Sequence, residues 1–600
     1  MFSQELASLT ALVSAAFDRL QIPRPEQIQW IPIPLAGQWG FGTAVAFQAA
    51  ALEAKRGDAI QVPARAQEIA SQLAAELRPP PGIQAIRAER AYLNAYFETS
   101  TYATRVVDAV LREGAEFGKG RPRDERVMVE YAQPNTLHSF HIGHARNVVL
   151  GESLARLVQF AGFETIRASY PGDIGLGVIT CLWGYRRFFA SQEPEGIHAR
   201  GQWLARIYTE SNALLELAAN ETAEAAAQRV TYDAERRELY RRWDQGDPEI
   251  RDLWLQTRRW SLEELEDILR MLDVEMDVFF FESEADLLAK DIVEELVRLG
   301  IAEDGRPQEA VVVKIDEKLG LTKEKYRTAV LLRSDGTSLY LAKDLALAKM
   351  KFERHRVDRS LYVVDVRQSL YFQQAFKILE LWGFPQAAKC YHLAHGFVSL
   401  PEGAMSSRQG NVVLFKDVAD EAERRVLGLI AEKNPDLPED QRGAVARQVG
   451  LGAIVYAMLS VDSTKDIVFT WEAALSFEGH SAPYIQNAHV RANSILRKAG
   501  AMPGETAFDY PLSPEEAALI DLISRFPSTA EKAAEEYKPL IMANYAYEVA
   551  RSFHAFYHAV PVLQAEYARI RAARQKLTAA ARQILATSLW LLDIRAPEVM

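Results

Sequence analysis

Residues 133–147 read QPNTLHSFHIGHARN. His141 and His144 flank an Ile-Gly pair, and His138 stands three residues before the first of them. The flanking sequence decides how this stretch is read. Ahead of it, Val127-Met128-Val129 is a short apolar run of the kind that forms a buried parallel strand. Behind it, Leu150, Leu154, Leu157, Val158 and Ala161 recur at helical spacing, and Gly162 supplies a C-terminal stop. Residues 127–162 are therefore strand, loop and helix, the repeating unit of an α/β sheet.

Three histidines at a spacing of three invite metal binding. Helical zinc sites, however, favour histidines four apart with a nearby carboxylate. No cysteine or acid cluster follows at ligand spacing, so no metal ligand is assigned here. Phosphate binding fits better. A loop between a buried strand and a helix N-terminus offers free N–H groups and the positive end of a dipole. Gly143 lets a nucleotide approach the backbone closely. His141 and His144 can donate to phosphate oxygens as charge builds in a transition state. The bland alternative is a pair of satisfied core histidines.

The remaining sequence sets the frame. At 600 residues the chain is too long for one core, and roughly three or four domains are expected. Hydrophobic residues make up 48% and charged residues 25%, an ordinary globular balance. No stretch of about 18 apolar residues occurs, so no membrane span is expected. The N-terminus carries Glu5 and no basic run, and reads as an amphipathic helix, not a leader. The only cysteines, Cys181 and Cys390, are far apart, which suits a reducing cytoplasm. A net charge of −12 excludes blanket nucleic-acid affinity, so any RNA contact must come from local basic patches.

Residues 1–118 form a first block with a helical start, a Gly-rich middle and a breaker, RPPPG, at 78–82. GKGRPRDER (118–126) reads as a linker into an α/β block, 119–438. Residues 185–285 carry charged amphipathic helix patterns and look like a helical insertion. The α/β pattern resumes with AVVVKI (310–315), and LYVVDV (361–366) is another buried strand. Asp335-Gly336 between two apolar runs is a hairpin signal. Residues 439–600 read as almost wholly helical, and Ser513-Pro514-Glu515-Glu516 fits a capping box.

His-Ile-Gly-His at a strand–helix junction resembles the first motif of class I aminoacyl-tRNA synthetases, Rossmann-like enzymes that adenylate an amino acid. Ala404-Met405-Ser406-Ser407-Arg408 resembles a degenerate copy of their second, mobile motif. A pocket for arginine needs carboxylates and other acceptors to meet the five donors of a guanidinium. Glu130 ends the strand before the histidines, at the ligand end of a parallel sheet. Asn135 lies in the loop, Tyr340 and Asp344 share a face if their stretch is helical, and Gln368 follows LYVVDV. Together these five resemble the arginine pocket of arginyl-tRNA synthetases, and the likeness extends over nearly the whole chain. It implies an α/β catalytic core with a helical insertion, an α+β N-terminal domain and an all-α anticodon-binding domain.

The resemblance implies catalysis by His141, His144, Ser406, Ser407 and Arg408, with His138, Gly143 and Met405 near ATP. It implies tRNA contacts at Tyr92 and Asn94 in the N-terminal domain and at Tyr484 and Arg491 in the anticodon domain. A tyrosine stacks on a base and an arginine meets phosphate or base edges, as single-stranded RNA recognition requires. The implied partners are tRNA-Arg, L-arginine and ATP with Mg2+, acted on by a monomer in the cytoplasm.

Three departures stand against that pattern. Family members usually carry a lysine where His138 stands, to neutralise ATP phosphates. The lysines of the second motif are also missing, with Ala404 and Ser407 in their places. Arg408, Lys416, Arg146 and a protonated His138 are the candidate substitutes. Asn487 replaces a tyrosine common in the anticodon domain. The missing lysines leave a second possibility beside an arginine–tRNA ligase, a weakened paralogue that only binds tRNA or arginine.

Overall fold

The expected strand, loop and helix lie at the centre of the molecule. The computed structural model describes residues 2–35, 37–56, 60–216, 222–399, 401 and 413–600. Its core is a parallel sheet of β1 (Arg126–Glu130), β2 (Glu164–Ser169), β3 (Val278–Phe279), β4 (Arg359–Asp365) and β5 (Tyr391–His395). The strand order is β5-β4-β1-β2-β3, so the winding reverses between β1 and β4. At such a reversal the loops beyond the carboxyl ends splay apart and leave a crevice for ligands. The loop holding the histidines leaves β1 there.

Helix α1 (Ile142–Phe160) follows. Fifteen of its nineteen residues are buried, because it packs on the sheet and on C-terminal helices as well. The one-sided apolar pattern in the sequence understates this. The expected insertion is helical, with Leu176–Gly184, α2 (Ile197–Ala213), Ala223–Asp244 and Pro248–Met271 around their own apolar cluster, which includes Trp183, Trp203 and Trp254.

Two local expectations are corrected between β3 and β4. AVVVKI does not join the parallel sheet. Val311–Lys314 pairs antiparallel with Thr328–Leu332 and Glu303–Asp304 in a separate sheet. The Asp335-Gly336 turn forms, but its second arm pairs only at Ser338 before α3 (Tyr340–Arg354) begins. Leu341, Ala342, Leu345 and Ala348 are buried at helical spacing, and that burial outweighs the hairpin signal.

The N-terminal block is a four-stranded antiparallel sheet with helices Ser3–Leu20, Val45–Lys55 and Val62–Glu76. The C-terminal part holds Glu439–Leu459, Ala482–Ala499, Pro514–Glu535, Pro539–Ala559 and Ala568–Leu591, and Ser513 closes the expected capping box with Glu516. Among the described residues no helix is long and apolar enough to cross a membrane.

Candidate active site

His141 is the N-cap of α1 and His144 is its third residue, so the motif forms the first turn of the helix instead of preceding it. The two rings build a capping box. His141 Nδ1 accepts the N–H groups of Gly143 and His144 at 3.1 and 3.3 Å, and His144 Nδ1 accepts the N–H of His141 at 3.3 Å. The rings stack with centroids 3.7 Å apart. An Nδ1 that accepts leaves the proton of a neutral imidazole on Nε2, so both rings keep an Nε2–H donor. Burial, with neighbouring histidines adding to it, pushes His141 down to about 4 and His144 well below the ordinary range. At neutral pH the pair is uncharged. Gly143 has a local reason as well: a Cβ there would sit 2.9 Å from Cε1 of the His141 ring.

The strand-to-helix turn is also tied to the chain beyond the second motif. Ile142 N donates to Val413 O at 3.2 Å and Phe415 N to Phe140 O at 3.1 Å. Met405, Ser406, Ser407 and Arg408, with Ala404, lie outside the described residues. A cleft of about 520 Å³ opens beside the turn, with Asn135, His138, His141 and His144 on one wall and Arg206 and Tyr208 of α2 on the other.

Three of the substitutes proposed for the missing lysines are corrected. His138 packs on Tyr208 with ring centroids 4.2 Å apart, and burial lowers its pKa, so it brings no charge at neutral pH. Arg146 is fully buried and donates to the carbonyls of Phe397 and Ser463, each at 3.0 Å, which holds it away from the cleft. Lys416 is paired with Asp420 one turn along its own helix.

Beyond Asn135, which lines the cleft with the histidines, lies a buried acidic cluster. Asp344 accepts the Tyr371 hydroxyl. Burial first, with Glu130 and Glu282 adding, pushes its carboxyl up to about 7. Glu130 does end β1, but Lys351 is ion-paired with it and Gln133 Nε2 donates to it at 3.1 Å. Its charge is therefore already matched. Tyr340 lies one turn from Asp344 as expected, yet it is 69% exposed. Gln368 sits exposed in the turn after β4. Asn135 bridges the two regions, since a Cβ on Gly172 would meet both its amide and the Glu282 carboxylate. Sequence reasoning missed Glu282, Tyr170 and Lys351. Glu282 is buried and bonded to Lys343 at 2.8 Å, and the Tyr170 hydroxyl is buried with no hydrogen-bond partner among the described residues. No motif marks them, because each arrives from a distant element. Among the described residues no group of three His, Cys, Asp or Glu side chains is arranged to hold a metal ion.

Comparison with known proteins bears on this arrangement. Residues 106–471 match the family described as tRNA synthetases class I (R), catalytic domain, and residues 485–600 match the DALR anticodon binding domain. The chain is 36% identical over 540 residues to an arginine–tRNA ligase of Bdellovibrio bacteriovorus, covering 89% of each. It is 33% identical to one of Halothermothrix orenii, over 85% of this chain and 86% of that one. The chain belongs to the arginyl-tRNA synthetase family. The solved arginyl-tRNA synthetase of Thermus thermophilus superposes with a TM-score of 0.77 at 28% identity, over 99% of this chain and 100% of that one.

In this arginyl-tRNA synthetase fold the remaining predicted residues fall on two separate surfaces. Tyr92 is 48% exposed on the N-terminal sheet. Asn94 is enclosed, with its amide donating to the Tyr96 hydroxyl at 3.3 Å, so of the two only Tyr92 is presented to solvent. In the DALR domain, Tyr484 lies against His554 at 4.6 Å and Tyr547 at 5.5 Å. Arg491 bonds His554 and His558 and covers the Tyr557 ring at 4.9 Å. Asn487 sits between them on the same helix, half-buried.

Proposed function

We infer that the chain is an arginine–tRNA ligase, which makes arginyl-adenylate from L-arginine and Mg-ATP and passes the arginyl group to tRNA-Arg. What carries this is a donor-bearing histidine turn that shares Asn135 as a neighbour with a buried acidic cluster. In the first step an oxygen of the arginine carboxylate attacks the α-phosphorus. The P–O bond to pyrophosphate breaks, and its electron pair leaves with pyrophosphate. Charge gathers on the phosphate oxygens, and the Nε2–H groups of His141 and His144 donate to them.

Asp344 meets the guanidinium, with Tyr170 and Tyr340 beside it. Glu130 supports this side from within its pair with Lys351. Asn135 and Gln368 hold the backbone end of the amino acid, and Glu282 lies within reach of its ammonium. Gly143, His138 and Met405 border the nucleotide, and Ser406, Ser407 and Arg408 act from the second motif. In the second step a ribose hydroxyl at the tRNA 3′ end attacks the arginyl carbonyl. It gives up its proton to the departing AMP phosphate. Tyr92, Asn94, Tyr484 and Arg491 mark the tRNA surface, with Asn94 acting through the sheet that presents Tyr92. The enzyme works as a single chain in the cytoplasm.

The test is arginine-dependent ATP–pyrophosphate exchange, with and without tRNA-Arg. Exchange that His141→Ala abolishes is the expected result. No exchange above the His141→Ala background, even with tRNA, would leave only a binding protein. Exchange with lysine or glutamine in place of arginine would overturn the substrate.

A further inference from the structure

We propose that Arg206, on insertion helix α2, binds the phosphates of ATP and supplies the fixed positive charge that the chain lacks at positions 138, 404 and 407. This rests on the ligase function above. A triphosphate brings several negative charges into a half-enclosed cleft, where they interact strongly and need a counter-charge. The histidines of the cleft offer N–H dipoles but no net charge at neutral pH. Among the described residues, Arg146 is committed to backbone carbonyls, Lys351 to Glu130, Lys416 to Asp420, and Arg258 to Asp173 at 2.8 Å. Among the described residues lining the cleft, Arg206 alone carries a permanent positive charge.

Its placement suits the task. Trp203, Leu204 and Ile207 anchor α2 in the core of the insertion, and Tyr208 packs on His138. This turns Gln202, Arg206 and Thr209, which share one helical face, toward the histidines across the cleft. The guanidinium itself is held lightly. Its Nε lies 3.8 Å from Glu210, the side chain is 56% exposed, and the Phe189 ring is 5.7 Å away. A small rotamer change releases it to make the paired hydrogen bonds that a planar guanidinium forms with phosphate.

The test is exchange kinetics on the full-length protein. Arg206→Ala should cut arginine-dependent ATP–pyrophosphate exchange by about 10²–10³-fold, through kcat or the KM for ATP. The KM values for arginine and tRNA-Arg should stay within about threefold. Arg206→Lys should retain more activity than Arg206→Ala. Adding His138→Lys to Arg206→Ala should restore at least about tenfold. Three outcomes would overturn the proposal: exchange by Arg206→Ala within about threefold of the unaltered protein, a defect confined to the KM for tRNA-Arg, or a defect that lysine at position 138 does not relieve. A protein without any arginine-dependent exchange would instead overturn the ligase function on which the proposal stands.

Discussion

Arg156 of helix α1 is ion-paired with Asp593 at 2.7 Å, which ties the helix that begins at the His141–His144 turn to the C-terminal tail. The link is deep. Arg156 also bonds Glu152 at 2.7 Å and the Trp590 carbonyl at 2.9 Å, and Glu152 receives Arg167 and the Tyr131 hydroxyl. Ser153 donates to the Leu591 carbonyl at 2.9 Å. The end of the last helix is thus fastened to the C-terminal half of α1.

Asp593→Asn breaks this enclosed pairing and leaves Glu152 as the carboxylate partner of Arg156, beside the Trp590 and Asp273 carbonyls. Removing one partner of a buried pair costs about 3 kcal/mol. The melting temperature should fall, and hydrogen exchange at amides of 142–160 should quicken. Unchanged exchange along α1 would show that the tail does not hold the helix.

Arginine binding should depend on pH through Asp344. With its carboxyl near 7, the group is largely protonated at pH 6 and ionised at pH 8. A guanidinium pairs with the ionised form, so affinity rises with pH, by about tenfold per unit below the pKa, and binding releases a proton. Calorimetry in buffers of different ionisation enthalpy reads that proton directly. A dissociation constant that is flat from pH 6 to 8 would exclude Asp344 as the titrating partner.

Capping and catalysis by His141 should separate. Asparagine is a strong N-cap but lacks an Nε2–H at the reach of an imidazole. His141→Asn should keep the melting temperature near that of the unaltered protein, while His141→Ala loses about 1 kcal/mol from the missing cap. Both should lose about 10²–10³-fold in exchange. Activity retained by the asparagine variant would mean that the ring serves only the fold.

Gly143→Ala sets two effects against each other. Alanine favours a helix over glycine by up to ~1 kcal/mol. The added Cβ, 2.9 Å from the His141 ring, must push that ring aside. Stability should therefore change little while exchange falls by about tenfold or more, because a donor shifted by even a fraction of an ångström no longer meets the phosphate. Full activity in this variant would show that the ring position is not critical.

Much of this was legible in the sequence because it is local. A buried strand, a turn and a helical repeat within 127–162 are read from neighbouring side chains, and so is the capping box at Ser513. The five arginine-pocket candidates could be named one by one from their types and positions. The hairpin at 335–336 misled, since a turn signal says nothing of what its second arm will pack against. That arm buries Leu341 and Leu345 at helical spacing and becomes a helix.

The sequence by itself determined the synthetase architecture, the histidine turn and the absence of the usual lysines. Only the tertiary structure decided how those residues are used. It consumes both Nδ1 atoms in a cap, gives Glu130 a lysine partner, keeps His138 and Arg146 from carrying charge into the cleft, and brings Arg206 across from the insertion. The physical reason is that hydrogen-bond partners and desolvation are set by whatever distant segments fold against a residue, and sequence spacing carries no record of them.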